Sequence, residues 1–163
     1  MELIEKILSE ENLQKAIRKV KKNKGAPGVD KMTVQEVEEW FNQYKEDLIS
    51  KILNKQYKPM PVKRVYIHKP NGKQRPLGIP TVVDRVIQQA MLQVLSEIYE
   101  PVFSEHSYGF RPNRSAHMAM EEVLSYLNEG YEWIVDLDIE KFFDTVNHDK
   151  LISILRERVN DSK

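Results

Sequence analysis

The densest grouping of chemically capable residues is WIVDLDIEKFFD, Trp133 to Asp144. On an extended strand, Ile134, Asp136 and Asp138 fall on one face and Trp133, Val135 and Leu137 on the other, so two carboxylates stand side by side along an apolar segment. Carboxylates at a strand end suit a hard, oxygen-seeking cation such as magnesium, and Phe142 and Phe143 would wall the place with rings. The competing reading is a solvent-facing edge strand carrying ordinary acids. A second grouping lies around Asn71-Gly72, where His68, Lys69, Lys73 and Arg75 flank a turn dipeptide. A basic two-stranded ribbon can grip a triphosphate or a nucleic-acid backbone, arginine by its fork and lysine as a point charge. Lysines that keep a hairpin edge from aggregating are the alternative. Residues 51–75 hold eight Lys or Arg and no acid, which favours a polyanion.

These groups need elements to position them. Residues 10–22 read as a helix with Leu13, Ala16, Ile17 and Val20 on one face and cations on the other. GAPGVD, Gly25 to Asp30, has two glycines and a proline and must be a loop. Thr33 with Glu36 has the form of a capping box, and Val34, Val37, Phe41, Tyr44 and Leu48 then step by three and four to about Leu53. Val62 to Ile67 alternates and is β-branched, Asn71-Gly72 turns it, and Lys73 to Ile79 returns. Thr81 and Asp84 open a helix with apolar pairs every fourth position through Ile98/Tyr99, expected to be buried at the domain centre. HSYGFRPNRS, His106 to Ser115, leads as a loop into a helix ending at Asn128 and Glu129-Gly130. Tyr131 to Ile139 is expected as a strand, and Asn147 caps a last helix over about Asp149 to Val159. Helices, hairpin, helices, strand and helix make an α+β chain with no βαβ repeat.

The 163 residues carry 25 basic and 25 acidic side chains, a formal balance of zero. That sum conceals segregation: residues 13–31 hold seven Lys or Arg and one acid, and the counterbalancing acidic excess is shared between residues 1–12, 32–50 and 76–163. The chain is therefore suited to polyanion in one place and to cations in another. No apolar run approaches the roughly 18 residues of a membrane span, and the acid-dotted N-terminus is unlike a signal peptide, so no membrane partner and a cytoplasmic location are expected. Without cysteine there is no disulfide, thiolate metal site or thiol nucleophile. His68, His106, His117 and His148 lack metal-ligand spacing. Ser107, Ser115 and Thr145 lack a nucleophile-elbow context, and GAPG is followed by no Gly-Lys-Ser/Thr of a P-loop. Trp40, Phe41 and Tyr44 read as core.

Four segments taken in order, KNKGAPGVD (Lys22 to Asp30), YKPMPVKRVYIHKPNGKQRPLGIPTVVDRVIQQA (Tyr57 to Ala90), EHSYGFRPNRSAH (Glu105 to His117) and WIVDLDIEKFFDTVNHDKL (Trp133 to Leu151), resemble the N-terminal part of bacterial group II intron-encoded reverse transcriptases, the maturases. The resemblance implies the fingers and partial palm of a right-hand polymerase. Residues 1–130 would be fingers, including a template-lid loop at 23–31 and the hairpin at 62–79; residues 131–163 would begin the palm. It implies Asp138 as a catalytic, metal-binding aspartate with the carbonyl of Ile139 as companion ligand, and Phe143 as the aromatic gate against a 2′-hydroxyl. Lys69 and Arg75 would hold the incoming dNTP triphosphate. Lys22, Asn23, Lys24, Gly25, Ala26, Pro27 and Gly28 would lie over template RNA, and Arg111 would be either a nucleic-acid contact or a buried structural arginine. Asp136 matches no universal catalytic position, and Asp144 reads as structural.

Implied partners are group II intron RNA, template-primer, DNA and dNTP, with two Mg2+ ions in the complete active site, some 4 Å apart. Nothing after Asp144 resembles the family's Tyr-Ala-Asp-Asp hairpin, and the Pro-Gln-Gly segment, thumb and maturase parts are missing. The chain is therefore expected to be a piece of the polymerase, inactive alone, with homodimerisation through the fingers or an exposed palm edge as a further expectation. Two alternatives stand beside it: a non-catalytic RNA-binding or protein-interaction module derived from a reverse transcriptase, and a small metal nuclease using Asp136 and Asp138.

Overall fold

The computed structural model describes residues 2–68, 70, 72 and 74–159. They divide into two units between Ser96 and Glu97, within one helix. The chain is α+β and helix-rich, and its one sheet among the described residues is a two-stranded antiparallel hairpin.

The first unit holds α1 (Leu3–Ile7), α2 (Glu10–Lys22), α3 (Val37–Leu53), β1 (Lys63–His68), β2 (Gln74–Ile79) and most of α4 (Val82–Tyr99). Ser9 starts α2 by accepting the backbone N–H of Asn12, and the expected apolar face, Leu13, Ala16, Ile17 and Val20, is buried. It meets Val37, Phe41 and Leu48 of α3 and Val82, Val86, Ala90 and Val94 of α4 in one core. Burial of a Leu or Ile side chain of this kind contributes about 1.5–3 kcal/mol, which is what holds three otherwise marginal helices together. Polar contacts set their registry. Asn12 donates to Ala90 O at 3.0 Å and accepts from Gln93 Nε2 at 2.7 Å, while Lys45 and Lys21 of α3 and α2 pair with Glu10 and Glu38.

Two expectations are adjusted here. The helix after Thr33 begins at Val37, not at 34: Glu36 accepts the Thr33 N–H at 2.8 Å, but the Thr33 hydroxyl donates to the same carboxylate at 2.6 Å instead of accepting the Glu36 N–H, so the capping box is only half made. Those bonds also hold the Glu36 carboxyl below the usual range, the hydroxyl contributing most. The central helix α4 is buried on one face only: Met91 and Leu92 are exposed. Its apolar stripe is wider than the surface its neighbours cover.

In the hairpin, Ile67 pairs with Arg75, Val65 with Leu77 and His68 with Gln74. Pro76, which has no N–H to give, is accommodated because β2 has no second neighbouring strand among the described residues.

The second unit holds a 3-10 turn (Glu100–Val102), α5 (Ala116–Asn128), α6 (Phe142–Thr145) and α7 (His148–Arg156). Ser115 caps α5; Gly130 at φ 97° lies just beyond its end and Asn147 caps α7, the last two as the sequence predicts. No residue from 97 to 159 is buried. The strand expected over Tyr131–Ile139 does not form. A strand is held by hydrogen bonds to a neighbouring strand, and none of the described residues supplies one, so the segment stays irregular with Trp133 94% and Leu137 88% exposed. Among the described residues no helix is long and apolar enough to cross a membrane.

Candidate nucleic-acid and nucleotide site

In the first unit the loop after α2 is seated on the beginning of α4. Lys24 and Lys31, both with left-handed backbone (φ 49° and 62°), bracket it. Gly28 is buried and so close to the next layer that a Cβ there would lie 2.8 Å from Thr81 Cα and 2.9 Å from Thr81 N. On the same side Arg85 donates from Nη2 to Ala26 O at 2.7 Å. Burial pulls the Arg85 guanidinium below its ordinary ionisation range, opposed by the charge of Asp30. The seven loop residues proposed for RNA therefore divide. Lys22, Asn23, Lys24 and Ala26 are exposed, Gly25 and Pro27 are half-buried, and Gly28 faces inward. Gly28 permits the close approach of the loop to Thr81.

One turn of α4 also organises the approach to the hairpin. Asp84, 3% exposed, accepts the Tyr57 hydroxyl on Oδ1, and the Thr81 hydroxyl (2.6 Å) and Met60 N–H (3.2 Å) on Oδ2. Burial first, and the Asp84 carboxylate second, push the Tyr57 phenol well above its usual range. This ties residues 57–60, which lead into β1, to the helix that follows β2. These groups line a groove of about 530 Å³ together with Trp40 and Lys58. The hairpin itself presents exposed Lys63, Arg64, His68 and Arg75. Arg75 makes no ion pair with another described residue, and Lys69 lies outside the described residues.

In the second unit the Arg111 side chain is 8% exposed, and every N–H of its guanidinium has an acceptor: Nε and Nη2 on Glu100 Oε1 (3.0 and 2.9 Å), Nη1 on Ser104 O and Ser107 O (2.6 and 2.7 Å), and Nη2 also on Glu100 O at 3.5 Å. Its Cζ lies over the Phe103 ring, 5.3 Å from the ring centre. Of the two readings left open for Arg111, this geometry matches the structural one. Asp136, Asp138 and Ile139 are exposed in the irregular segment. Phe143, 87% exposed, meets the Phe142 ring in an edge contact at 5.5 Å, after Lys141 turns the backbone at φ 51°. No three His, Asp or Glu side chains gather as a metal site among the described residues. Asp138 thus has no companions there to complete a two-ion centre.

Sequence reasoning missed Arg85, and it took Asp84 only as a helix opener. The signal for Arg85 was present in GAPG: two glycines near each other in a loop ask what approaches them.

A sequence profile for the family described as reverse transcriptase (RNA-dependent DNA polymerase) matches residues 67–162. Protein YkfC of Escherichia coli K12 is 39% identical over 99% of this chain and 44% of its own length. The group II intron-encoded protein LtrA of Lactococcus lactis is 40% identical over 86% of this chain and 23% of its own length. The putative COX1/OXI3 intron 2 protein of Saccharomyces cerevisiae is 33% identical over 90% of this chain and 17% of its own length. The chain spans less than half the length of these curated relatives.

Proposed function

Since the chain belongs to the reverse transcriptase family, among the group II intron-encoded reverse transcriptases and maturases, we propose that it is the fingers and first palm portion of an RNA-directed DNA polymerase. Its part is to bind intron RNA and template-primer and to help hold the dNTP. The observation that carries this is the seating of loop 23–31: an exposed Lys22-Asn23-Lys24 edge held on a rigid core by Gly28 and Arg85. Arg18, Lys19, Lys22 and Lys24 are exposed on or beside α2, whereas Lys15 and Lys21 are already paired with Glu11 and Glu38. Four cations near one loop are enough to track a phosphate backbone.

Arg75, with Lys69, is proposed for the triphosphate, and Phe143 for the sugar face of the nucleotide. The family uses divalent metals such as Mg2+, and Asp138 with the Ile139 carbonyl is proposed as part of the donor set. The described residues do not fit a complete two-ion centre, so no catalytic step is assigned to the metal, and the chain alone is proposed to be inactive in synthesis.

The test is a titration of single-stranded RNA against salt. Four phosphate contacts predict that log affinity falls linearly with log salt, with a slope near −2.8, about −0.7 per contact. Neutralising Lys22 and Lys24 should flatten it by about 1.4. A salt-independent affinity overturns the RNA reading. The alternative, a protein-interaction module, predicts that flat response.

A further inference from the structure

We infer that Arg85 is a positioning residue for loop 23–31, fixing the backbone of Gly25 and Ala26 so that the loop's exposed edge is presented to RNA; the second half of this rests on the reading of the loop proposed above.

Arg85 projects from the first turn of α4, whose preceding residues Pro80 and Thr81 receive Gly28. The loop is thus held at two points of one rigid platform, by steric fit at Gly28 and by a donated hydrogen bond at Ala26 O. The platform is itself fixed by the bonds that Asp84, the residue before Arg85, accepts from Tyr57, Met60 and Thr81. Gly25 completes the fit: a Cβ on it would fall on Arg85 Nη1, so the guanidinium occupies the volume that a side chain at position 25 would need. Arg85 Nε is buried and has no hydrogen-bond partner among the described residues. A buried orphan donor is unfavourable, and the bond that Nη2 gives to Ala26 O is set against that cost. Asp30, of the same loop, acts on Arg85 through space, and the two form no ion pair among the described residues. Lysine cannot do the same: its compact ammonium lacks the planar fork that lets one nitrogen bond Ala26 O while the other fills the space beside Gly25.

Gly25→Ala evicts the guanidinium without changing any charge, and Arg85→Lys keeps the charge while removing the fork. Amide hydrogen exchange of residues 23–31 in the whole chain reads the clamp, and a single-stranded RNA oligonucleotide reads its consequence. Both variants should accelerate exchange in the loop by about tenfold or more, the scale of one charge-assisted hydrogen bond. Exchange in α2 and α3 should be unchanged, which also certifies that the variants fold. The double variant should add nothing to either single one, because both remove the same interaction. RNA affinity should fall in parallel in all three. Unchanged loop exchange overturns the clamp. Loss of RNA affinity in Arg85→Lys with unchanged exchange also overturns it, assigning Arg85 to direct contact instead. Faster exchange with unaltered RNA affinity leaves the clamp standing and overturns the loop's role in RNA binding.

Discussion

The carboxylate of Asp84 receives the hydroxyl of Tyr57, 27 positions earlier in the chain, while itself only 3% exposed. Its other partners are a hydroxyl and a backbone N–H, so the group is satisfied by donors and by no cation among the described residues. Asp84→Asn would turn an acceptor into an NH2 facing one of those donors. The expected loss is about 1–3 kcal/mol, the cost of a buried polar group left unsatisfied, read from the urea midpoint. A loss within a few tenths of that of a surface substitution would dismiss the network as a source of stability.

Tyr57 carries a pH signature. Its folded-state pKa is raised above the ordinary value of 10.0, first by burial and then by Asp84. The native state therefore keeps the phenol proton where the unfolded chain has lost it. Stability from this group is fully present below pH 10 and declines above it, by about 1.4 kcal/mol per pH unit until the folded group itself titrates. Tyr57→Phe should remove that part of the alkaline slope, as urea melts between neutral and alkaline pH would show. An identical slope in the variant contradicts the assignment.

Gly28→Ala should destabilise the chain by about 1–3 kcal/mol, the usual cost of overpacking. The new Cβ meets backbone atoms of Pro80 and Thr81, which cannot swing aside as the end of an arginine can. Thermal unfolding measures it, and Gly25→Ala, which displaces only a side chain, should melt higher than Gly28→Ala.

Arg111→Lys preserves charge and discards the fork that bonds Glu100, Ser104 and Ser107. Local protection of residues 100–111 in amide exchange should fall by about tenfold or more, while RNA affinity of the chain stays where it was. A reduced RNA affinity with intact local protection would return Arg111 to the nucleic-acid contacts.

Asp138→Ala, placed in a protein of the relatives' length, should lower DNA synthesis by more than about a hundredfold, more than loss of an outer partner of a metal ligand costs, and leave RNA affinity unchanged. Retained synthesis would remove Asp138 from the proposed metal site.

What could be read from the residues alone followed how local each feature is. The face Leu13, Ala16, Ile17 and Val20 announced α2, Asn147 announced α7, and the hairpin followed from alternation around Asn71-Gly72, because spacing of three or four or of two is written within a few residues. The five-residue α1 and four-residue α6 are too short to show a period. The segment Tyr131 to Ile139 has strand composition, yet a strand depends on a partner that composition does not contain. Arg85 holds a carbonyl 59 positions away, and no window of sequence spans that pairing. Arg111 was left between two roles because its type is equally suited to phosphate and to carbonyl oxygen; only the positions of Glu100, Ser104 and Ser107 decide what its donors face.

The chain has two tryptophans, Trp40 half-buried beside Phe41 and Tyr44 in α3 and Trp133 almost wholly in solvent in the second unit. Each unit thus carries its own optical reporter. A collisional quencher such as acrylamide should silence Trp133 first, leaving a bluer emission from Trp40. Covering of the Trp133 segment by a partner strand would shift the red component and slow its quenching while Trp40 keeps its colour, so a cuvette measurement can assign an event to one half of the molecule or the other.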